Sequence, residues 1–249
     1  MIAGIDNSTF SLQSKDDPNG LFEKSYELKY SFNSGYTKKM LSWLHLRCHK
    51  DPQHPKNIVS SIYFDTPHWH ALAEKVNSDY HKNKHRLRWY SDLDTHDVLP
   101  DAYLESKARM GTQRTKLRYL VDLPAPTIAK MSLQSGLLKE MLHLLLNDLK
   151  LPPQLMPVYI VRYHRYRFIE PVTQSRICLD THIHVPKVNI NAIATGNRQP
   201  LPISVIEVKG QQANLPPVLH QLTAMGCSRS AFSKYLHCYE QLTQQQISG

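Results

Sequence analysis

No Cys-x-x-Cys pair occurs in this 249-residue chain. The four cysteines, Cys48, Cys178, Cys227 and Cys238, stand apart from one another. That removes zinc ribbons and dithiol redox motifs from consideration and fits reduced, mostly buried thiols. A run of about 18 apolar residues is also missing, so no membrane-spanning helix is expected. The opening MIAGIDNSTF has neither a basic start nor an apolar core. No secretory signal is read there, and a cytoplasmic protein is expected. Internal repeats and a clear linker are absent, which favours one domain. Acidic charge is short: 21 Asp and Glu against 30 Lys and Arg leave a formal charge of +9. Such a surplus calls for an anionic partner, whether nucleic acid, a phosphate chain or an anionic membrane face.

With 41% hydrophobic residues the chain is long and apolar enough to bury a core. Residues 1–22, with the turn signal Asp16-Asp17-Pro18-Asn19-Gly20, read as a mobile lead-in, and 23–245 as a single domain. Strands are expected near 23–33, 58–65, 83–91, 101–109, 114–123, 157–169, 175–183 and 202–209. Met40, Leu41, Trp43, Leu44 and Leu46 predict a helix over 36–49, and Trp43 and Trp69 read as packing residues. Pro67 suits the first turn of a short helix through Ala71 and Leu72. Residues 126–150 read as one long helix ended by Pro152-Pro153, and two short helices follow, after Pro216-Pro217 and over Ser230–Leu242. The segment 186–201 is expected to be a long mobile loop.

Alternate residues of a strand point to one side. On that period Glu27 and Lys29 share a face, as do Arg86 and Arg88; Glu105, Lys107 and Arg109; Arg114, Lys116 and Arg118; Tyr163, Arg165 and Arg167; and Glu207 and Lys209. Leu28, Leu87, Leu104, Ile206 and Val208 lie on the opposite faces. One such strand is an ordinary half-buried strand with a solvated face. Six together, with cation beside cation, fit an α+β fold in which a closed antiparallel β-barrel turns its charged face inward and helices cover its apolar outside. Like charges in a low-dielectric interior repel, so such a lumen makes sense when a polyanion fills it. Arginine forks and lysine ammonium groups suit phosphate oxygens. The few glutamates among them fit Mg²⁺ or Mn²⁺, which takes carboxylates together with substrate phosphates.

The segments YELKY (26–30), SIYFDT (61–66), RLRWY (86–90), YLESK (103–107), YHRYRF (163–168), RICLDT (176–181), VIEVK (205–209) and FSKY (232–235) occur in one order. In that order the chain resembles the VTC domain, the catalytic module of the vacuolar transporter chaperone polyphosphate polymerases, within the triphosphate tunnel metalloenzymes. The resemblance implies an eight-stranded tunnel, a divalent metal (Mn²⁺ or Mg²⁺), and transfer of the ATP γ-phosphate to a growing polyphosphate chain. Carried over by motif, Lys29, Arg86, Arg88, Lys107, Arg165, Arg176 and Lys234 would bind phosphate, with Lys116, Lys209 and Tyr163 beside them. Glu207 would hold the metal, and Glu105 and Glu27 stand where related tunnel enzymes place metal-binding glutamates. Arg86, Arg88, Lys107, Arg165, Arg176 and Glu207 would carry the catalysis. The inositol-phosphate sensor and membrane helices of the eukaryotic polymerases are not found in this sequence, so a stand-alone form is expected, with a separate membrane protein as a candidate partner.

ATP, triphosphate and polyphosphate are the expected ligands. With water as acceptor the same tunnel would be an inorganic triphosphatase; without turnover it would be a polyphosphate-binding module. A nucleic-acid-binding barrel ranks last, because Trp89 and Tyr90 read as structural rather than as an exposed stacking groove. His68-x-His70 and His182-x-His184 lack Cys or acidic partners at zinc spacing and read as surface residues. Asp65 and Asp180, each followed by Thr, read as turn or helix caps. Lys82 and Lys84 are expected at the tunnel mouth.

Overall fold

The structure, a computed structural model, describes residues 12–14, 26–77, 81–110, 113–140, 142, 153–194 and 196–247. Its strands are β1 (Leu12–Ser14), β2 (Tyr26–Asn33), β3 (His49–Lys50), β4 (Lys56–Asp65), β5 (His81–Ser91), β6 (Val98–Met110), β7 (Gln113–Val121), β8 (Met156–Ile169), β9 (Arg176–His184), β10 (Ile203–Gly210) and β11 (Ser228–Arg229). All join one antiparallel sheet in the order β1-β7-β6-β5-β4-β8-β9-β10-β2-β11, with β3 on β8. Among the described residues the helices include α1 (Thr37–Arg47), α2 (His70–Val76), α3 (Ala125–Lys130) and α4 (Lys234–Thr243).

The eight long strands are those expected, but closure is corrected. Among the described residues the ladder is an open path, because β1 takes the outer edge of β7 and β11 that of β2. The sheet is nevertheless strongly curled. Lys116 on β7 and Lys209 on β10 are six spacings apart along the ladder. A flat sheet would hold them roughly 29 Å apart at about 4.8 Å per spacing. Yet the Lys209 charge reaches Lys116, adding to the lowering of its pKa that burial begins. Within the expected lead-in, residues 12–14 pair with 119–121 of β7, and the rest of 1–22 lies outside the described residues.

Three apolar clusters form, two on the outer face of the sheet and one inside the curl. Leu87, Trp89, Ala102 and Leu104 pack with Ile128 of α3 and with Leu138 and Leu142. Tyr159, Val161, Ile183 and Val205 pack with Leu72 of α2 and with Tyr235 and Leu242 of α4. Leu28, Ile177, Ile206 and Val208 pack with Met40 and Leu44 of α1 and with the 3₁₀ turn Pro217–Leu222. Trp69 and Trp43 pack against the second and third clusters. The first and third clusters cover the outer face. The second lies inside, because Tyr159, Val161 and Val205 share strand faces with Tyr163, Arg165 and Glu207; α2 and α4 pack there and leave the rest of the hollow to the charged side chains.

Three local expectations change. The helix over 126–150 is broken: α3 stops at Met131, whose ψ is 148°, and helix resumes over 136–140 with the Ser135 hydroxyl accepting from Leu138 N–H. Serine at a cap competes with helix continuation, which the apolar spacing alone does not register. Pro67 precedes α2 rather than starting it. The Asp65 carboxylate caps that helix by accepting from the backbone N–H of Ala71 and Leu72. The segment 186–201 is irregular but pinned. Asn189 is buried, donating from its side chain to Pro157 O, and Ile193 and Leu201 enter the second cluster. No described helix is long and apolar enough to cross a membrane.

Candidate functional site: a cation-lined cavity

The hollow of the curled sheet is a cavity of about 1610 Å³. Every sequence-predicted site residue lines it: Glu27 and Lys29 on β2; Arg86 and Arg88 on β5; Glu105 and Lys107 on β6; Lys116 on β7; Tyr163 and Arg165 on β8; Arg176 on β9; Glu207 and Lys209 on β10; and Lys234 at the start of α4. Among its described lining residues Lys and Arg number fourteen and Asp and Glu five. That imbalance favours an anion inside it.

Three carboxylates, Glu105, Asp180 and Glu207, organise the cations in two clusters. Glu105 receives Arg86 Nε at 2.7 Å and Nη2 at 2.5 Å, with Arg88 Nη1 at 3.5 Å and Arg118 Nε at 3.8 Å. Burial works against its charge, but the Arg88 and Arg86 guanidiniums outweigh it and hold the carboxyl well below its ordinary range. The guanidiniums are further fixed by hydroxyls: Arg86 donates to Tyr63, and Arg88 to Ser61 and Tyr163. Arg118 stacks 3.7 Å above the Tyr103 ring.

The second cluster is built on Glu207, with Asp180 behind it. Arg165 clamps Asp180 through Nε and Nη2, both at 2.6 Å, and reaches Glu207 Oε2 at 3.2 Å. Lys234 Nζ lies 2.6 Å from Asp180 and 3.1 Å from Glu207, over the Tyr163 ring at 4.9 Å. Burial opposes the charge on both acids, yet the cations keep them ionised, Arg165 foremost for Asp180 and Lys234 for Glu207.

Lys84, Lys107 and Lys116 are direct cross-strand neighbours on β5, β6 and β7. Like charges opposite one another are unfavourable in a sheet. Lys107 is exposed towards the cavity, but the crowding of protein around it pushes its pKa down to about 7, first by desolvation and then by Arg86 and Lys209. Among the described residues no carboxylate lies within ion-pair distance of Lys107 or Lys116.

For a divalent metal, the relevant fact is that Glu27 and Glu207 converge on one ammonium. Lys29 Nζ is 3.7 Å from Glu27 Oε1 and 3.6 Å from Glu207 Oε1. Lys29 holds the position between these two carboxylates, and Mg²⁺ or Mn²⁺ taking both, completed by phosphate oxygens, would displace it. Among the described residues no three His, Cys, Asp or Glu side chains gather for a protein-only site. Glu105 stands with the arginines instead.

The VTC domain family model matches residues 23–243. The chain belongs to the VTC domain family. No curated protein matches it. Among solved structures it is similar to the PH1819 protein of Pyrococcus horikoshii OT3, at 12% identity and a TM-score of 0.47, covering 86% of this chain and 99% of that one. It is also similar to a candidate adenylate cyclase of Bacillus halodurans, at 18% identity and a TM-score of 0.46, covering 83% and 92% of the two chains.

In this VTC domain the site also contains residues that the sequence reading passed over. Asp180 is fully buried beneath Arg165 and Lys234 rather than at a cap. Its signal was its place in RICLDT, level with Arg165 across the β8–β9 ladder. Tyr90, read as structural, lines the cavity with Tyr103 and Arg118. Lys84, which the sequence reading did place at the tunnel mouth, lines the cavity, with Nζ 3.5 Å from the Ser233 hydroxyl. The Lys82 side chain lies outside the described residues, as do those of Arg109 and Arg114. Cys178 borders the cavity, and the other three thiols are buried.

Proposed function

We propose that this chain is a polyphosphate polymerase-type phosphotransferase, moving the ATP γ-phosphate to the end of a polyphosphate chain inside the cation-lined cavity. The observation that carries this reading is the cavity itself, with fourteen cations to five acids, several of them oriented in advance by Glu105, Asp180 and Glu207. Membership of the VTC domain family supports it.

Phosphoryl transfer needs positioning and neutralisation of charge more than a protein nucleophile. Arg86, Arg88, Arg165 and Lys234 would orient the triphosphate oxygens, since their side chains are already held in place when the anion arrives. Lys107, Lys116, Lys209 and Arg176 would supply further charge along the chain. Glu207, with Glu27, would hold Mg²⁺ or Mn²⁺, which when bound neutralises charge on the transferring group. The acceptor is a terminal phosphate oxygen, already ionised, so no strong general base is required.

The test is incubation with ATP and Mn²⁺, resolving polyphosphate from free phosphate. Polyphosphate lengthening with time is expected. Free phosphate as the sole product would make the chain a triphosphatase, and no consumption of ATP would make it a binding module.

A further inference from the structure

We infer that Asp180 is a positioning residue that takes the shorter bonds of Arg165 and Lys234, loosening their hold on Glu207, and so keeps the Glu207 carboxylate available to a divalent cation. The inference rests on the proposed role of Glu207. Three cations compete for that carboxylate: Lys29 at 3.6 Å, Arg165 at 3.2 Å and Lys234 at 3.1 Å. A cation hydrogen-bonded to a carboxylate oxygen occupies the lone pairs a metal needs.

Asp180 shifts that competition. Arg165 makes both of its short bonds, 2.6 Å each, to Asp180, and Lys234 sits at 2.6 Å from Asp180 against 3.1 Å from Glu207. Charge-assisted bonds of that length are the strong ones. The two acids also differ in access. Asp180 is fully buried and does not border the cavity, whereas Glu207 does. The buried acid therefore holds the fixed cations, and the cavity-facing acid is left the weaker contacts. The geometry of β9 and β10 allows this, because Asp180 pairs with Val205 in the ladder, two residues before Glu207 on the same face.

Removing the Asp180 charge leaves Arg165 and Lys234 with Glu207 as their near anion, and the metal then has to displace both. Binding of Mn²⁺ alone, followed by the electron paramagnetic resonance of the free ion, reads this without turnover. Asp180→Asn should weaken Mn²⁺ binding at least tenfold, and Asp180→Glu should recover much of it. Lys234→Met keeps the Asp180–Arg165 clamp and removes one competitor, so it should tighten Mn²⁺ binding several-fold even if Asp180→Asn fails to fold. Unchanged affinity in folded Asp180→Asn, or unchanged or weaker affinity in Lys234→Met, would overturn the inference. Triphosphate binding by wild type that shows no Mn²⁺ binding would overturn the metal role of Glu207 and this inference together, while leaving the phosphate cavity standing. Absence of triphosphate binding would instead strike the proposed function.

Discussion

Glu207 is the residue at which metal and phosphate meet in this account. Glu207→Gln keeps the size of the side chain but removes the charge that holds a divalent cation. Phosphotransfer should fall by orders of magnitude while calorimetry still records triphosphate binding through Arg86, Arg88 and Lys234; wild-type turnover would remove Glu207 from the mechanism. Lys107 makes a separate prediction. With a pKa pushed down to about 7, it is largely neutral in the free protein at pH 8. A bound polyanion favours its charged form, so binding takes up protons, and affinity rises as pH falls from 8 towards 7. Titration of triphosphate in two buffers of different ionisation enthalpy at pH 8 should show net proton uptake in wild type and much less in Lys107→Arg. The cavity cations were legible in the sequence because a strand's period of two sorts them onto one face without knowledge of the fold. Asp180 was not, because Asp-Thr at a strand end has the same local chemistry whether it caps a turn, as Asp65 caps α2, or anchors two cations from elsewhere in the chain.

At the scale of elements, α4 matters because its first residue delivers Lys234 into the cavity. The helix is held by a latch to β4 and β8: Tyr235 donates from its hydroxyl to Asp65 at 2.6 Å, and the Tyr159 hydroxyl donates to the Tyr235 carbonyl at 2.6 Å. Ser233 caps the helix, its hydroxyl accepting from Leu236 N–H. Tyr235→Phe removes one buried charge-assisted bond, with an expected loss of about 1–3 kcal/mol. At about 2–4 °C per kcal/mol for a chain of this size, thermal unfolding should show a drop of several degrees. An unchanged melting temperature would mean that the latch contributes nothing to stability. Element positions were mostly readable from periodicity. Where they were not, a short polar group decided the outcome. Ser135 restarts a helix that the leucine spacing ran straight through. Asn189 ties down a segment whose Pro, Asn and Gly content reads as mobile.

For the whole molecule, the sequence carried the charged inner face and the apolar outer one, but not how the sheet ends. Strand pairing at an edge depends on short segments such as Leu12–Ser14 and Ser228–Arg229, too brief to show a period. The curl itself follows from covering the outer face with two apolar clusters and filling part of the inner face with a third, while cations crowd the rest of that inner face. Such a molecule should be under electrostatic strain when empty and relieved when filled. An anion that binds only the folded state stabilises it by about 2.7 kcal/mol at a hundredfold excess over Kd. Screening by salt weakens that gain. The direct measurement is the melting temperature with and without triphosphate at low and high salt. A rise of roughly 5–10 °C is expected at low salt, shrinking as salt is added. No shift with triphosphate at low salt would contradict a cavity built to hold condensed phosphate.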